Sequence, residues 1–343
     1  MAATGNKRGR FEEHVVSSAA LRDNPLGDPA ERSLWVYLPS AYDAESQRRF
    51  PTIYVIQGMT GQVEMWWNRT AFRPTFPDLV DDLFDAPDAP PPAVVVLVDA
   101  FTSYGGSQFL NSPGTGRYLD YLCDDVVGYV DATFRTRADR QSRGLTGKSS
   151  GGYGAMAVPM LRPDVFGALA SHCGDALFDF CYLTEFPVVV RALRDHYDGS
   201  YEKFWSDFRS RVAWTRPNDE QLVNTYCMAA CYSAEPDGSV TLPFDPYTGR
   251  LREDVWTRWL DVDPVRMAAR HADALRSMSG IYLDAGRSDE YFLDLGAQAF
   301  AAELDALGVP YQLELFDAGH GRIEWRYPLA LRFLAERFPS STA

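Results

Sequence analysis

The chain's folding options narrow at Gly147-Lys148-Ser149-Ser150-Gly151, a G-x-S-x-G stretch followed by Gly152, Tyr153 and Gly154. That pattern predicts a sharp turn from a strand into a helix with a serine at its apex, the nucleophile elbow. An apex residue is held in a strained backbone conformation, so the positions two residues away must lack side chains that would collide. Gly147 and Gly151 meet that demand. Ser149 would then present its hydroxyl above a sheet at the N-terminus of a helix, where backbone polarity favours developing negative charge. A phosphate-binding loop also ends in Gly-Lys-Ser, but it needs a glycine five positions before Gly147. Ser142 stands there.

The flanking chain reads as alternating strands and helices. Thr52–Gln57 and Ala93–Val98 are short apolar runs without alternation, as buried parallel strands are. Positions 144–146, 167–171, 280–283 and 311–316 continue that series. Glu13–Leu21 and Arg32–Leu38 read as an opening pair joined by a turn-rich segment. Helical periods fall on Pro77–Leu83, Tyr118–Phe134, Gly152–Leu161, Tyr291–Leu307 and Trp325–Phe338. Such alternation implies an α/β fold with a mostly parallel, doubly wound sheet. Residues 176–265 interrupt it with an aromatic-rich segment, predicted as a cap insertion between core segments 11–175 and 266–343. Most of its aromatics are expected to pack a small core of its own. Residues 1–10 read as a disordered tail with no signal sequence.

Acyl transfer by a serine requires a base, a group that orients the base, and donors for an oxyanion. Of the five histidines, His320 lies between Gly319 and Gly321 after the last predicted strand. His14, His196 and His271 fall in strand or charged helical contexts. Imidazole exchanges protons near neutral pH, so a loop histidine at a strand end suits the base. The acid is expected between serine and histidine in the chain. Asp289 stands at a suitable distance from the strand over 280–283, with Asp284 and Glu290 as alternatives. Oxyanion donors are expected from the N–H groups of Ser150, just after the apex, and Met59, in the loop after the third strand. Trp66 and Trp67 follow that loop and could line a pocket.

These segments, with Asp99 to Ser107 and Asn111 to Tyr118, resemble the esterase D-like family of α/β-hydrolases. Feruloyl esterases, S-formylglutathione hydrolase and mycolyltransferases are its kin. The resemblance implies an α/β-hydrolase fold, a Ser149–His320–Asp289 triad, and substrate contacts that include Tyr104 and Tyr153. It does not fix a substrate; the triad chemistry leads us to expect a serine carboxylic-ester hydrolase that acts through an acyl-enzyme on a small-to-medium acyl ester and needs no metal or organic cofactor. Acyl transfer and thioester hydrolysis use the same triad, and a catalytically silent fold serving as a binding protein is the alternative from outside enzymology.

Composition excludes some partners. With 47 acidic against 33 basic residues, the net charge of −14 argues against nucleic acid and anionic membranes. No apolar run approaches the ~20 residues of a membrane span. Five cysteines without C-x-x-C spacing suggest neither a disulfide framework nor a zinc site, and a reducing, cytoplasmic setting is expected. At 343 residues the chain can bury roughly three quarters of its unfolded surface. If it assembles, a two-fold homodimer is the commonest form.

Overall fold

A computed structural model describes residues 9–212 and 214–340. Its main sheet has eight strands: β1 (Arg10–Ser17), β2 (Glu31–Leu38), β3 (Thr52–Ile56), β4 (Val94–Val98), β7 (Arg143–Lys148), β8 (Ala168–His172), β9 (Gly280–Gly286) and β10 (Gln312–Phe316). Two short strands, β5 (Asn111–Ser112) and β6 (Gly116–Arg117), form a separate ribbon. The order across the main sheet is β1-β2-β4-β3-β7-β8-β9-β10. β2 runs antiparallel to β1 and β4, and every pairing from β4 to β10 is parallel.

The central strands bury both faces, which is why their sequences carry no alternation. On one face, Val55, Val95 and Ala170 pack against the helices Phe76–Asp85 and Tyr327–Arg337. On the other, Tyr54, Val96 and Leu145 meet Leu122, Val126 and Val130 and the helix after the elbow, Ser150–Leu161. Thr75 and Asp78 start the helix Phe76–Asp85 with a reciprocal capping box. The predicted helix over 118–134 forms in three pieces, with a π-helical stretch over Tyr121–Val126.

Between β8 and β9 the chain is helical, including Phe186–Tyr197, Tyr201–Ser210, Asp219–Tyr232 and Glu253–Leu260. The aromatics of this insertion are mostly buried, as expected. Their core is not separate, however: Phe178, Phe204, Tyr232 and Trp259 belong to one cluster with Tyr153 and Met156 of the elbow helix and Leu283 of β9. The elbow helix is buried around almost its whole circumference, so the insertion must cover its outer side. The predicted tail is also shorter than expected, because Arg10 already opens β1. Residues 1–8 of it lie outside the described residues. Among the described residues no helix is long and apolar enough to cross a membrane.

Candidate active site

Ser149 follows β7 directly and takes φ 59° and ψ −125°, a conformation L-residues rarely adopt. Two bonds pin it: its N–H donates to the carbonyls of His172 (3.0 Å) and Cys173 (3.1 Å). The glycines around it are steric necessities. A Cβ on Gly147 would lie 2.6 Å from the Ile56 carbonyl oxygen, and one on Gly151 would lie 2.4 Å from it. Gly151→Ala is therefore expected to cost about 3 kcal/mol, the upper end for overpacking. Urea unfolding monitored by tryptophan fluorescence checks this, and an unchanged midpoint would contradict the tight elbow.

The loop after β3 passes close to the apex, since a Cβ on Gly58 would approach Ser149 Cβ to 3.3 Å. Met59 follows, and its N–H has no hydrogen-bond partner among the described residues. Ser150 is the first residue of its helix, where an N–H has no intrahelical acceptor.

The other two expected residues meet each other. His320 Nδ1 and Asp289 Oδ2 are 2.9 Å apart. Glycines again permit the approach: a Cβ on Gly286 would stand 2.3 Å from the Ala318 carbonyl oxygen. Glu290 accepts from the His320 backbone N–H at 2.7 Å, and the Tyr291 N–H donates to Asp289 Oδ1 at 2.9 Å. Burial alone would raise the Asp289 carboxyl. The hydrogen bond and charge of His320, with the Tyr291 N–H, outweigh it and hold the carboxyl below its usual range. The Tyr291 ring stands edge-on to His320 at 4.9 Å.

Asp284, an alternative acid, is committed elsewhere. Its Oδ1 lies 2.8 Å from Nδ1 of the fully buried His172, and its Oδ2 accepts from Arg326 Nε at 2.8 Å and the Tyr282 hydroxyl at 3.0 Å. Glu290, the other alternative, holds the histidine's backbone rather than its ring.

Ser149, His320, Met59, Ser150 and Trp66 all line one cavity of about 750 Å³ at the carboxyl ends of the parallel strands. Trp67, Tyr104 and Tyr153 do not line it. Trp67 packs on Trp35 and Phe11 beside the antiparallel pair. Tyr104 is taken up by Trp205 and Tyr226 of the insertion. Tyr153 is fully buried against Phe178 and Tyr232, because its helix has no exposed side at that turn. Residue type alone did not reveal which way these rings face. Of the insertion's aromatics, Tyr182 and Trp214 reach the cavity.

Sequence reasoning passed over Asp175, Tyr182, Asn224 and Tyr291, which also line the cavity. For Asp175 a signal existed, since an acidic residue three positions beyond a parallel strand falls where such sheets bind ligands. Cys173, Asp289 and His320 bring donor atoms within 4.8 Å of one another, the trio among the described residues that could approach a metal. Burial pushes the Cys173 thiol up, which opposes the thiolate that metals require, and His320 Nδ1 already faces the carboxylate. All five cysteines are buried and free.

This strand order, with a strained serine turn after the fifth main-sheet strand and a histidine loop after the last, defines an α/β-hydrolase fold. The family model described as "Putative esterase" matches residues 29–334, and the chain belongs to that family. A ferulic acid esterase structure superposes with a TM-score of 0.62 at 19% identity, covering 97% of this chain and 100% of that one. An S-formylglutathione hydrolase from Agrobacterium tumefaciens superposes with a TM-score of 0.58 at 15% identity, covering 97% of each. In sequence, the uncharacterized protein YbbA of Bacillus subtilis is 27% identical over 158 residues, 43% of this chain and 58% of that protein. An endo-1,4-beta-xylanase/feruloyl esterase of Xylanibacter ruminicola is 27% identical over 135 residues, 38% of this chain and 18% of that one. The match thus spans only part of either curated relative.

Proposed function

We propose that the protein is a serine carboxylic-ester hydrolase that works through an acyl-enzyme. The observation that carries this reading is the meeting of a strained Ser149 and an Asp289-bound His320 on one cavity. In the proposed cycle Ser149 Oγ attacks the ester carbonyl while His320 Nε2 takes its proton. Asp289 holds Nδ1–H, which fixes the tautomer and stabilises the imidazolium. The oxyanion accepts from the N–H groups of Met59 and Ser150. His320 then returns the proton to the departing alcohol, and water, activated the same way, releases the acid.

The cavity volume suits a small-to-medium acyl ester. Membership in the esterase family supports the reaction class, and the fold it shares with ferulic acid esterase and S-formylglutathione hydrolase is compatible with it. A fluorophosphonate probe is expected to label the protein at Ser149, located by peptide mass spectrometry, and to abolish p-nitrophenyl ester hydrolysis in proportion. Labelling elsewhere, or none, would overturn the proposal and favour a silent fold.

A further inference from the structure

The cavity wall on the insertion side is acidic, and among the described residues no lysine or arginine pairs with it. Asp175 follows β8 and is only 5% exposed, yet it lines the cavity. All its donors converge on one oxygen. Oδ2 accepts from the Tyr182 hydroxyl at 2.7 Å, Ser150 Oγ at 3.2 Å and Gln108 Nε2 at 3.3 Å. Among the described residues none donates to Oδ1. Oδ1 is left to the cavity that Asp175 lines, and the same carboxylate accepts from Ser150, the residue after the proposed nucleophile.

Two further carboxylates stand nearby. Glu220 also lines the cavity and accepts from the Tyr291 hydroxyl at 2.6 Å. Glu185 lies behind Asn224, whose Nδ2 donates to it at 3.0 Å. Burial, followed by the charges of Glu220 and Asp175, pushes the Glu185 carboxyl up to about 7 against the Asn224 bond. Only neutral groups hydrogen-bond to the three; burial raises the Asp175 carboxyl, against its bond from Tyr182 and the charge of His320. Several other buried carboxylates meet a guanidinium, Asp99 with Arg32, Asp131 with Arg143, Asp219 with Arg211, and Asp284 with Arg326, whereas Asp263 is held by the backbone N–H groups of Leu177, Phe178 and Val265. The cavity's cations, Lys148, Arg73 and Arg322, come from the elbow strand and from two other loops, and none pairs with this wall. Glu324 borders the cavity as well.

We propose that the cavity takes esters whose acyl part carries a protonated amine, and that Asp175 Oδ1 receives it. This rests on the esterase reading above. An ammonium there supplies the missing donor and offsets a negative charge that would otherwise oppose the oxyanion beside Ser150.

The test compares p-nitrophenyl esters of 3-aminopropanoic and 6-aminohexanoic acid with the butanoyl and heptanoyl esters, in which methyl replaces ammonium. The 6-hydroxyhexanoyl ester and the adipoyl monoester complete the set. For at least one chain length, kcat/KM is expected to favour the ammonium ester by roughly tenfold or more, the worth of one charge-assisted hydrogen bond. Asp175→Asn is expected to bring that ratio close to one, and Glu220→Gln, on the exposed side, to lower it partway. If Asp175→Asn does not fold, the Glu220→Gln ratio decides. A wild-type ratio near one, an equal gain for the hydroxyl ester, or preference for the adipoyl ester overturns the inference while leaving esterase activity standing. Failure to turn over any ester, together with no probe labelling, overturns the parent reading and this one with it.

Discussion

Ser149→Ala is expected to lower kcat on any ester the enzyme accepts by at least roughly 10⁴-fold, with the melting temperature almost unmoved. The two halves of that expectation have separate causes. The Ser149 side chain makes no capping hydrogen bond, and the turn is held by its backbone N–H on the His172 and Cys173 carbonyls. Removing Oγ therefore takes away no described packing or polar partner, and the stability change should stay within about 0.5 kcal/mol. Chemistry, by contrast, loses the proposed nucleophile, leaving only oxyanion stabilisation and binding for attack by water. Ser150→Ala is the matched control. Its hydroxyl donates to Asp175, so its removal should cost about 1 kcal/mol of stability and far less activity. Steady-state kinetics beside thermal melts read both variants. If Ser150→Ala were the dead enzyme and Ser149→Ala the active one, the elbow would have been assigned to the wrong hydroxyl.

The elbow was readable because its requirement is local. Backbone atoms of Ile56 crowd Gly147 and Gly151, so the sequence must show glycine there whatever else it does. The central strands were readable for a similar reason: five consecutive buried positions in β3 and in β4 leave apolar runs with sharp ends. β1 was placed several residues late because it is an edge strand with mostly exposed or half-buried positions, and its apolar signal is faint. Its predicted end, Ser18 to Leu21, is instead a turn held by the Asp125 carboxylate. The π-helical stretch at Tyr121–Val126 escaped because an apolar period does not register one extra residue in a turn. What the sequence could not display was partnership across distance. Nothing near Asp175 announces Gln108 or Tyr182, and nothing near His172 announces Asp284, which a sheet register brings beside it.

That register sets up the sharpest contrast the fold offers, between two aspartates five residues apart. Asp289→Asn is expected to lower kcat by roughly 10⁴-fold with the smaller stability loss of the two, because an amide in its place favours the wrong imidazole tautomer while keeping the shape. Asp284→Asn should do the reverse. Its carboxylate is fully enclosed and meets His172, the Tyr282 hydroxyl and the Arg326 guanidinium, which also pairs with Glu314. Neutralising it breaks the buried pair at Arg326 Nε and leaves the guanidinium only its partner Glu314, a loss of up to about 3 kcal/mol. Burial would raise the Asp284 carboxyl, but His172 and Arg326 outweigh burial and hold it below its ordinary value. A carboxyl with a depressed folded pKa contributes stability in full above about pH 4, its unfolded value. That contribution fades as the pH falls below it. The wild-type protein should therefore lose stability on acidification below about pH 4 more steeply than Asp284→Asn, which has already forfeited this contribution. Melting curves from pH 3 to 8, run beside ester kinetics, separate the two aspartates. An Asp284→Asn variant that melts like wild type but hydrolyses nothing would make Asp284, not Asp289, the acid of the site.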